Sequence, residues 1–446
     1  MTRHYVISDL HLGMGRRDDG SWHPLEDFKS DELFGRYLNF ISDDGGDELI
    51  INGDWIDFHQ LEPFAYPEQR LFSADGHRLG WTEADSLKKL ESCKAAGAHK
   101  KFFDDLGHFL RTTGKKLIIV MGNHDPDLFW LLMQAEVRSL LGPREEGQLE
   151  FVQTSLLCGT AHVEHGNQHC SPENKFYNPN NIFHLGAAGD VARLEMVWGT
   201  IFVMEFFNKI EEAFPYADNI KTQSRALWLG IKNGWVGGDM AAKFVKFIWG
   251  AGIPWGSLSA NVLSDQPQSP EELIAGIADP EISRELFERY DGNPDFRSRF
   301  DEEIAQTAAE EWEAVNAPNH QRPVTDEQLT PAVDDEASRL GLVRDEPEFR
   351  GASELLGGPG VEYVVFGHTH SEIDGSDPKA VVANYFNTGS WVNSLDLSKR
   401  ENRERLKNIT GEDLQRDDLF ELRLRQAVID VDDDGRTSVE LRPIEV

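Results

Sequence analysis

Short apolar runs alternate with stretches of helical period through the first 180 residues. Tyr5 to Asp9, Glu48 to Asn52, Leu117 to Met121, Phe151 to Leu157 and Ala161 to Glu164 have the length and the Ile, Leu and Val content of buried strands. Between them, apolar positions recur at helical spacing near 25 to 42, 83 to 112 and 126 to 141, the last opened by Asp125-Pro126, a favourable helix start. Strand alternating with helix predicts an α/β, or α+β, layered domain. From about 181 to 355 the pattern becomes long and mostly helical with no convincing strand. Strands then resume at Val361 to Phe366 and Ala383 to Phe386, and the tail from Leu422 to Val446 reads as a hairpin turned at Asp434-Gly435. Compact domains do not carry such long excursions as plain loops. The expected organisation is therefore a core of residues 1–180 and 356–446 interrupted by a helical cap over 181–355, whose acidic, proline-punctuated second half is partly mobile.

Composition narrows the function classes. The 446 residues, 39% hydrophobic, supply enough apolar material for a core of this size. Cys93, Cys158 and Cys170 show neither C-x-x-C pairing nor framework spacing, so no zinc ribbon or disulfide scaffold is expected. The net charge is −34, and residues 265–354 hold much of the excess, with 24 Asp plus Glu against 8 Arg and no Lys. Such a chain repels long duplex DNA and anionic lipid surfaces. The opening MTRHYVISDLHLG enters a strand without an apolar leader, and no uninterrupted run of about 18 apolar residues occurs, so the expectation is a cytoplasmic protein without a spanning helix.

The strands end in unusual company. Tyr5-Val6-Ile7 leads to Asp9 and His11, and Ile50-Ile51-Asn52 leads to Gly53-Asp54-Trp55-Ile56-Asp57. Ile118 to Met121 leads to Gly122-Asn123-His124-Asp125, His162 to Glu164 leads to His165-Gly166, and Val364 to Phe366 leads to Gly367-His368-Thr369-His370. Ligands of layered α/β proteins sit in the crevice beyond the strand C-termini, so these groups are expected to converge. Asp9, His11, Asp54, Asn123, His165, His368 and His370 form one coherent set of imidazole and hard oxygen donors, which suits manganese, iron or zinc. Seven donors exceed the needs of one ion and suit two that share a carboxylate around a bridging water. Two dications less two aspartates and one hydroxide leave roughly one positive charge, which attracts an anionic substrate such as a phosphate ester.

In order and in strand context, Asp9-x-His11, Gly53-Asp54-x-x-Asp57, Gly122-Asn123-His124-Asp125, His165-Gly166 and Gly367-His368-x-His370 resemble the five signature blocks of calcineurin-like metallophosphoesterases. The resemblance spans about 1 to 180 and 356 to 395 and implies a two-sheet β-sandwich flanked by helices. It also implies that Asp9, His11 and His370 hold one ion, that Asn123, His165 and His368 hold a second, and that Asp54 bridges them. His124 would be the acid that protonates the leaving oxygen, oriented by Asp57, with Asp125 structural. ISDLHLG, INGDWIDF and the GHTHS to NTGSW arrangement look most like the UDP-2,3-diacylglucosamine pyrophosphohydrolase branch, although His124 stands where that branch carries arginine.

The expectation is a hydrolase, a phosphatase or phosphodiesterase, that cleaves a phosphate mono- or diester or a diphosphate by attack of a metal-bridging hydroxide. Two divalent ions, manganese first, would be its cofactors. A nuclease acting on DNA or RNA ends shares this chemistry, and a non-catalytic scaffold that binds partners through the acidic segment is the remaining alternative. Arg16 and Arg17 follow the first motif and could grip phosphate through their planar forks. Asn167, His169 and Lys175 follow His165 and are further candidates for substrate contact. The Trp- and Phe-rich stretch 196–255 reads first as a packed cap, and secondly as a cover for an amphiphilic substrate or a peripheral membrane contact.

Overall fold

The computed structural model describes residues 1–46, 48–62, 71–73, 77–95, 97–112, 114–169, 174–186, 191–211, 280–302, 347–396 and 419–445, with shorter pieces between 215 and 275 and at 402. The acidic stretch 303–346, about half of the segment expected to be partly mobile, lies outside them, as do Cys170 and residues 222–229 and 246–255 of the aromatic stretch.

The fold is mixed α/β and layered. A six-stranded sheet runs in the order β17 (Thr437–Pro443), β16 (Arg425–Val431), β1 (Thr2–Ile7), β2 (Glu48–Asn52), β5 (Lys116–Val120) and β6 (Leu149–Val152). β1, β2, β5 and β6 are parallel, with Ile7 opposite Ile51 and Ile51 opposite Ile119, and the C-terminal hairpin adds antiparallel to β1. A five-stranded sheet runs β13 (Glu372–Ile373), β14 (Tyr385–Thr388), β12 (Tyr363–Phe366), β8 (Ala161–Glu164) and β7 (Ser155–Cys158), with β14, β12 and β8 parallel. Strands such as Leu49-Ile50-Ile51 read as unbroken apolar runs because both of their faces are covered.

Side-chain alternation sorts the two faces. Val6, Ile50, Ile118 and Val120 of the first sheet share one buried cluster with Ala161, Val163, Val365 and Phe386 of the second. On the other face of β12, Val364 and Phe366 pack with Ala352 of the helix Pro347–Leu356. An aromatic group joins α1 (Asp31–Asp43) to α3 (Lys100–Leu110), where Phe34 stacks on Phe102 at 4.0 Å and Trp391 meets Phe34 at 5.6 Å and Tyr37 at 5.4 Å.

Several boundaries differ from the sequence expectation. The helical stretch 83–112 breaks into α2 (Glu83–Lys94) and α3, because Ala95 is extended and Gly97 takes φ +94°. The stretch 126–141 opens as a 3-10 turn, Pro126–Phe129, and restarts as α4 (Leu131–Leu141) after an extended Trp130. The first helix starts at Asp31 rather than 25, since the Glu26 carboxylate accepts the backbone N–H groups of Gly13, Gly15 and Phe28 and holds that stretch as a loop. A four-stranded antiparallel sheet, β3 (Leu71–Phe72), β4 (Arg78–Thr82), β10 (Ala192–Glu195) and β9 (Phe183–Leu185), uses strands too short to show a period, two of them in the stretch read as helical.

The chain divides into two compact units, one of residues 1–200, 325–393 and 422–446 and one of 201–324 and 394–421. The second therefore recruits 394–421, which the sequence expectation left in the core. Within it β11 (Ile220–Lys221) pairs with β15 (Leu395–Asp396), and Tyr290 of the helix Pro280–Gly292 bonds Asp301 at 2.7 Å. Among the described residues no helix is long and apolar enough to cross a membrane.

Candidate metal centre

The parallel strands β1, β2, β5, β8 and β12 end, and within a few residues the backbone reverses. Six non-glycine residues among those described have left-handed φ, and five of them are Asp9 (+54°), His11 (+52°), Asp54 (+51°), His368 (+67°) and His370 (+55°). That conformation costs a side-chain-bearing residue about 1–3 kcal/mol and persists only where surrounding structure over-determines it. Here it is held by backbone bonds that join the loops: Asp9 N–H to Gly53 O at 3.1 Å, His11 N–H to Asp54 O at 2.9 Å, Gly367 N–H to His165 O at 2.9 Å and Trp391 N–H to Asp9 O at 3.0 Å. Two glycines are required by close approach: a Cβ on Gly53 would enter the His165 ring, and one on Gly122 would strike the Asp54 carboxylate.

The side chains meet in two triads. In the first, His370 Nε2 lies 3.3 Å from Asp9 Oδ1 and 3.0 Å from His11 Nε2. In the second, His165 Nε2 lies 3.1 Å from Asp54 Oδ2, with His368 completing the group. Asp54 Oδ2 is also 3.8 Å from His11 Nε2, so this carboxylate stands between the triads. Separations of this size are those of atoms about 2.0–2.2 Å from a common ion. Asn123 sits between Gly122 and His124, both of which touch Asp54, and its Oδ1 is buried without a hydrogen-bond partner. His165 Nε2 likewise makes no hydrogen bond despite facing Asp54. Buried atoms left in this state are costly, and a cation would relieve them.

Neighbouring groups fix which nitrogen is free. His165 Nδ1 is 2.8 Å from the carbonyl of Asn52, which can only accept, so Nδ1 carries a proton, and in the neutral ring, the form that binds a cation, Nε2 keeps its lone pair. Asp57 Oδ2 serves two rings at once, His11 Nδ1 at 3.1 Å and His124 Nδ1 at 2.8 Å. The His124 side chain retains 18% exposure, against 5% or less for His11, Asp54 and His165. Asp125 is structural, accepting Trp55 N–H and Gly122 N–H, each at 2.7 Å.

Electrostatics say what the centre lacks. Burial opposes the charge on His11, yet Asp57 and Asp9 outweigh it and hold the imidazole well above its ordinary value. His165 rises against burial to about 9 beside Asp54, and His124 rises through Asp57 and Asp54. Asp9, Asp54 and Asp57 are held below the usual carboxylate range, against burial, by the surrounding histidines. Burial and His165 push His368 down to about 3, leaving a neutral ring. A pocket whose carboxylates drive imidazoles to take up protons is short of positive charge, and divalent cations with N and O donors fit it.

The candidates for substrate contact are placed differently. Asn167 is buried and donates to Asn174 O at 2.8 Å, while Asn174 Nδ2 lies 3.3 Å from His368 Nε2, so Asn167 braces a loop that reaches the centre. His169 is turned elsewhere, bonding Glu164 Oε1 at 2.8 Å and stacking on Phe366. Arg16 lies over Trp22 at 3.8 Å, and Arg17 and Lys175 are exposed. Asn52 and Asn174 escape sequence reasoning, and His59, which has no slot in the motifs and reads as a satisfied surface or core histidine, is buried with its ring 4.5 Å from His124. Asn52 was visible as a polar strand end, but nothing in the sequence marks Asn174 or His59. No protein-family model matches the chain, and no curated protein is significantly similar to it.

Proposed function

We propose that the chain is a metal-dependent phosphoesterase that hydrolyses a phosphate mono- or diester or a diphosphate bond at a dinuclear site. The observation that carries this reading is the concentration of left-handed backbone on five residues whose side chains form two adjoining donor triads. Asp9, His11 and His370 would hold one ion, Asn123, His165 and His368 the other, with Asp54 between them. Two divalent cations bound by these residues would supply Lewis-acid polarisation of a phosphoryl group and lower the pKa of a bound water toward neutrality.

The chain's own residues do the rest. Asp57 holds the proton of His124 Nδ1 and sets the ring plane, leaving Nε2 as the proton donor for the departing oxygen. The raised proton affinity of His124 keeps that proton in place around neutrality. Asn52 fixes the His165 tautomer, and Asp125 ties Gly122 to Trp55 so that the Asn123 turn cannot drift from Asp54. Elemental analysis of protein purified without chelators, paired with a manganese-supplemented screen of phosphomonoesters, phosphodiesters and diphosphate conjugates, tests the reading. Two bound ions per chain and turnover of at least one class are expected; no metal uptake on titration, or no turnover in any class, overturns it.

A further inference from the structure

A chain of net charge −34 repels anions over most of its surface, so a local excess of cations stands out. One occurs where α1 and α3 begin. A cavity of about 490 Å³ is lined by Arg16, Lys29, Arg36 and Lys101 with Trp22, and a second hollow of about 290 Å³ shares Arg36 and Lys101 and continues between the helices. The acidic groups at its edge are largely spent. Asp31 bonds His99 Nδ1 at 3.0 Å, an imidazole that Glu26 and Asp31 hold protonated against burial, with its pKa raised to about 10. Glu32 is 3.7 Å from Lys101 and points into solvent, and Asp105, which lines the second hollow, accepts from Lys101 at 2.6 Å, so the cations that remain to meet an anion are led by Arg16 and Arg36. Arg36 makes no ion pair or hydrogen bond among the described residues, and the Arg16 guanidinium lies over Trp22, 3.8 Å from the ring centroid, and is tied to Gly20 O at 2.8 Å. A fixed planar cation of this kind is preorganised for a phosphate.

Topology places this groove at the reactive end of the sheet. β1, β2 and β5 are parallel, α1 leads from the end of β1 to β2, and α3 lies on the return from β2 to β5. Both helices therefore start on the side where Asp9, Asp54 and Asn123 leave the strands. Arg16 lies five positions after His11, a span of at most about 17 Å.

We propose that the groove is a second anion subsite that takes a remote phosphate of the substrate, so that the favoured substrate is a small molecule phosphorylated at two separated positions. The phosphate subsite rests on the phosphoesterase reading for its connection to turnover, though not for binding itself. The test compares the full chain with the double variant Arg16→Gln, Arg36→Gln, which leaves the Lys101–Asp105 pair intact. Calorimetric titration with inorganic tripolyphosphate, without added divalent metal, is expected to weaken at least about tenfold in the variant; equal binding in both, or none in the parent chain, overturns the subsite. With manganese, the KM for alkanediol bisphosphates of graded spacer length is expected to rise at least about tenfold more than the KM for p-nitrophenyl phosphate, and a parallel change in both overturns it. If the phosphoesterase reading alone fails, no ester is turned over while the calorimetric difference remains. If the subsite alone fails, p-nitrophenyl phosphate is turned over and the calorimetric difference vanishes.

Discussion

Two buried clusters of histidine and carboxylate lie in the same compact unit, and they differ in kind. Around His99, Nε2 meets Glu26 at 3.0 Å and Nδ1 meets Asp31 at 3.0 Å, and all three residues have ordinary backbone. Every polar atom of that ring has a partner, and the cluster joins the loop after His11 to the starts of α1 and α3. At the strand ends, two imidazole nitrogens face each other at 3.0 Å, Asn123 Oδ1 and His165 Nε2 have no hydrogen bond, and the backbone is strained at five positions. Burial and composition are shared. Buried polar atoms without hydrogen bonds and strained backbone are what separate the proposed metal centre from a structural brace.

Substitutions can break this contrast. Asp54→Asn is expected to lower turnover by about 10³-fold or more and to reduce bound metal toward zero, since the carboxylate stands between both triads; retention of two ions per chain by elemental analysis would contradict its place. His124→Ala is expected to slow turnover by about 10²- to 10⁴-fold with both ions kept, so loss of metal would reassign it as a ligand. Gly122→Ala pushes a methyl group against the Asp54 carboxylate and its backbone nitrogen and should cost about 10²-fold in turnover together with about 1–3 kcal/mol of stability. Unimpaired kinetics would mean that the carboxylate is not held where the distances put it.

The smallest functional effect is expected from the brace. His99→Gln should leave metal content at two ions per chain and cost about 2–3 kcal/mol of stability in urea unfolding. The folded pKa of His99 is about 10, raised above the ordinary value of about 6.5. Its stabilisation is thus complete below about pH 6.5 and is lost as pH rises toward about 10. The stability gap between parent and variant should shrink over that window, and a gap that widens with pH would show that the imidazolium is not what the two carboxylates hold.

The metal-type residues could be anticipated because each stands at the end of an apolar run, where strand period and ligand type are both visible. The C-terminal hairpin was legible for a similar local reason: Asp434-Gly435 supplies the turn, and Gly435 takes φ +80°. Features set by distant partners were not legible. The strands of the four-stranded sheet are too short for periodicity to register. The orientation of His169 depends on Glu164 and on Phe366, residues whose proximity only the second sheet creates. The left-handed turns carry no clear signature either, since aspartate and histidine tolerate that region better than most residues without selecting it, and here they are held in it by bonds from other loops.

One oxygen atom, Asp57 Oδ2, accepts from both a proposed ion ligand and the proposed proton donor. The electron richness of the His11 ring and the acidity of the His124 ring are thereby set by a single charge. No replacement at position 57 can adjust one property and spare the other, so any change there that shifts the proton affinity of His124 also shifts the donor strength that His11 would offer an ion.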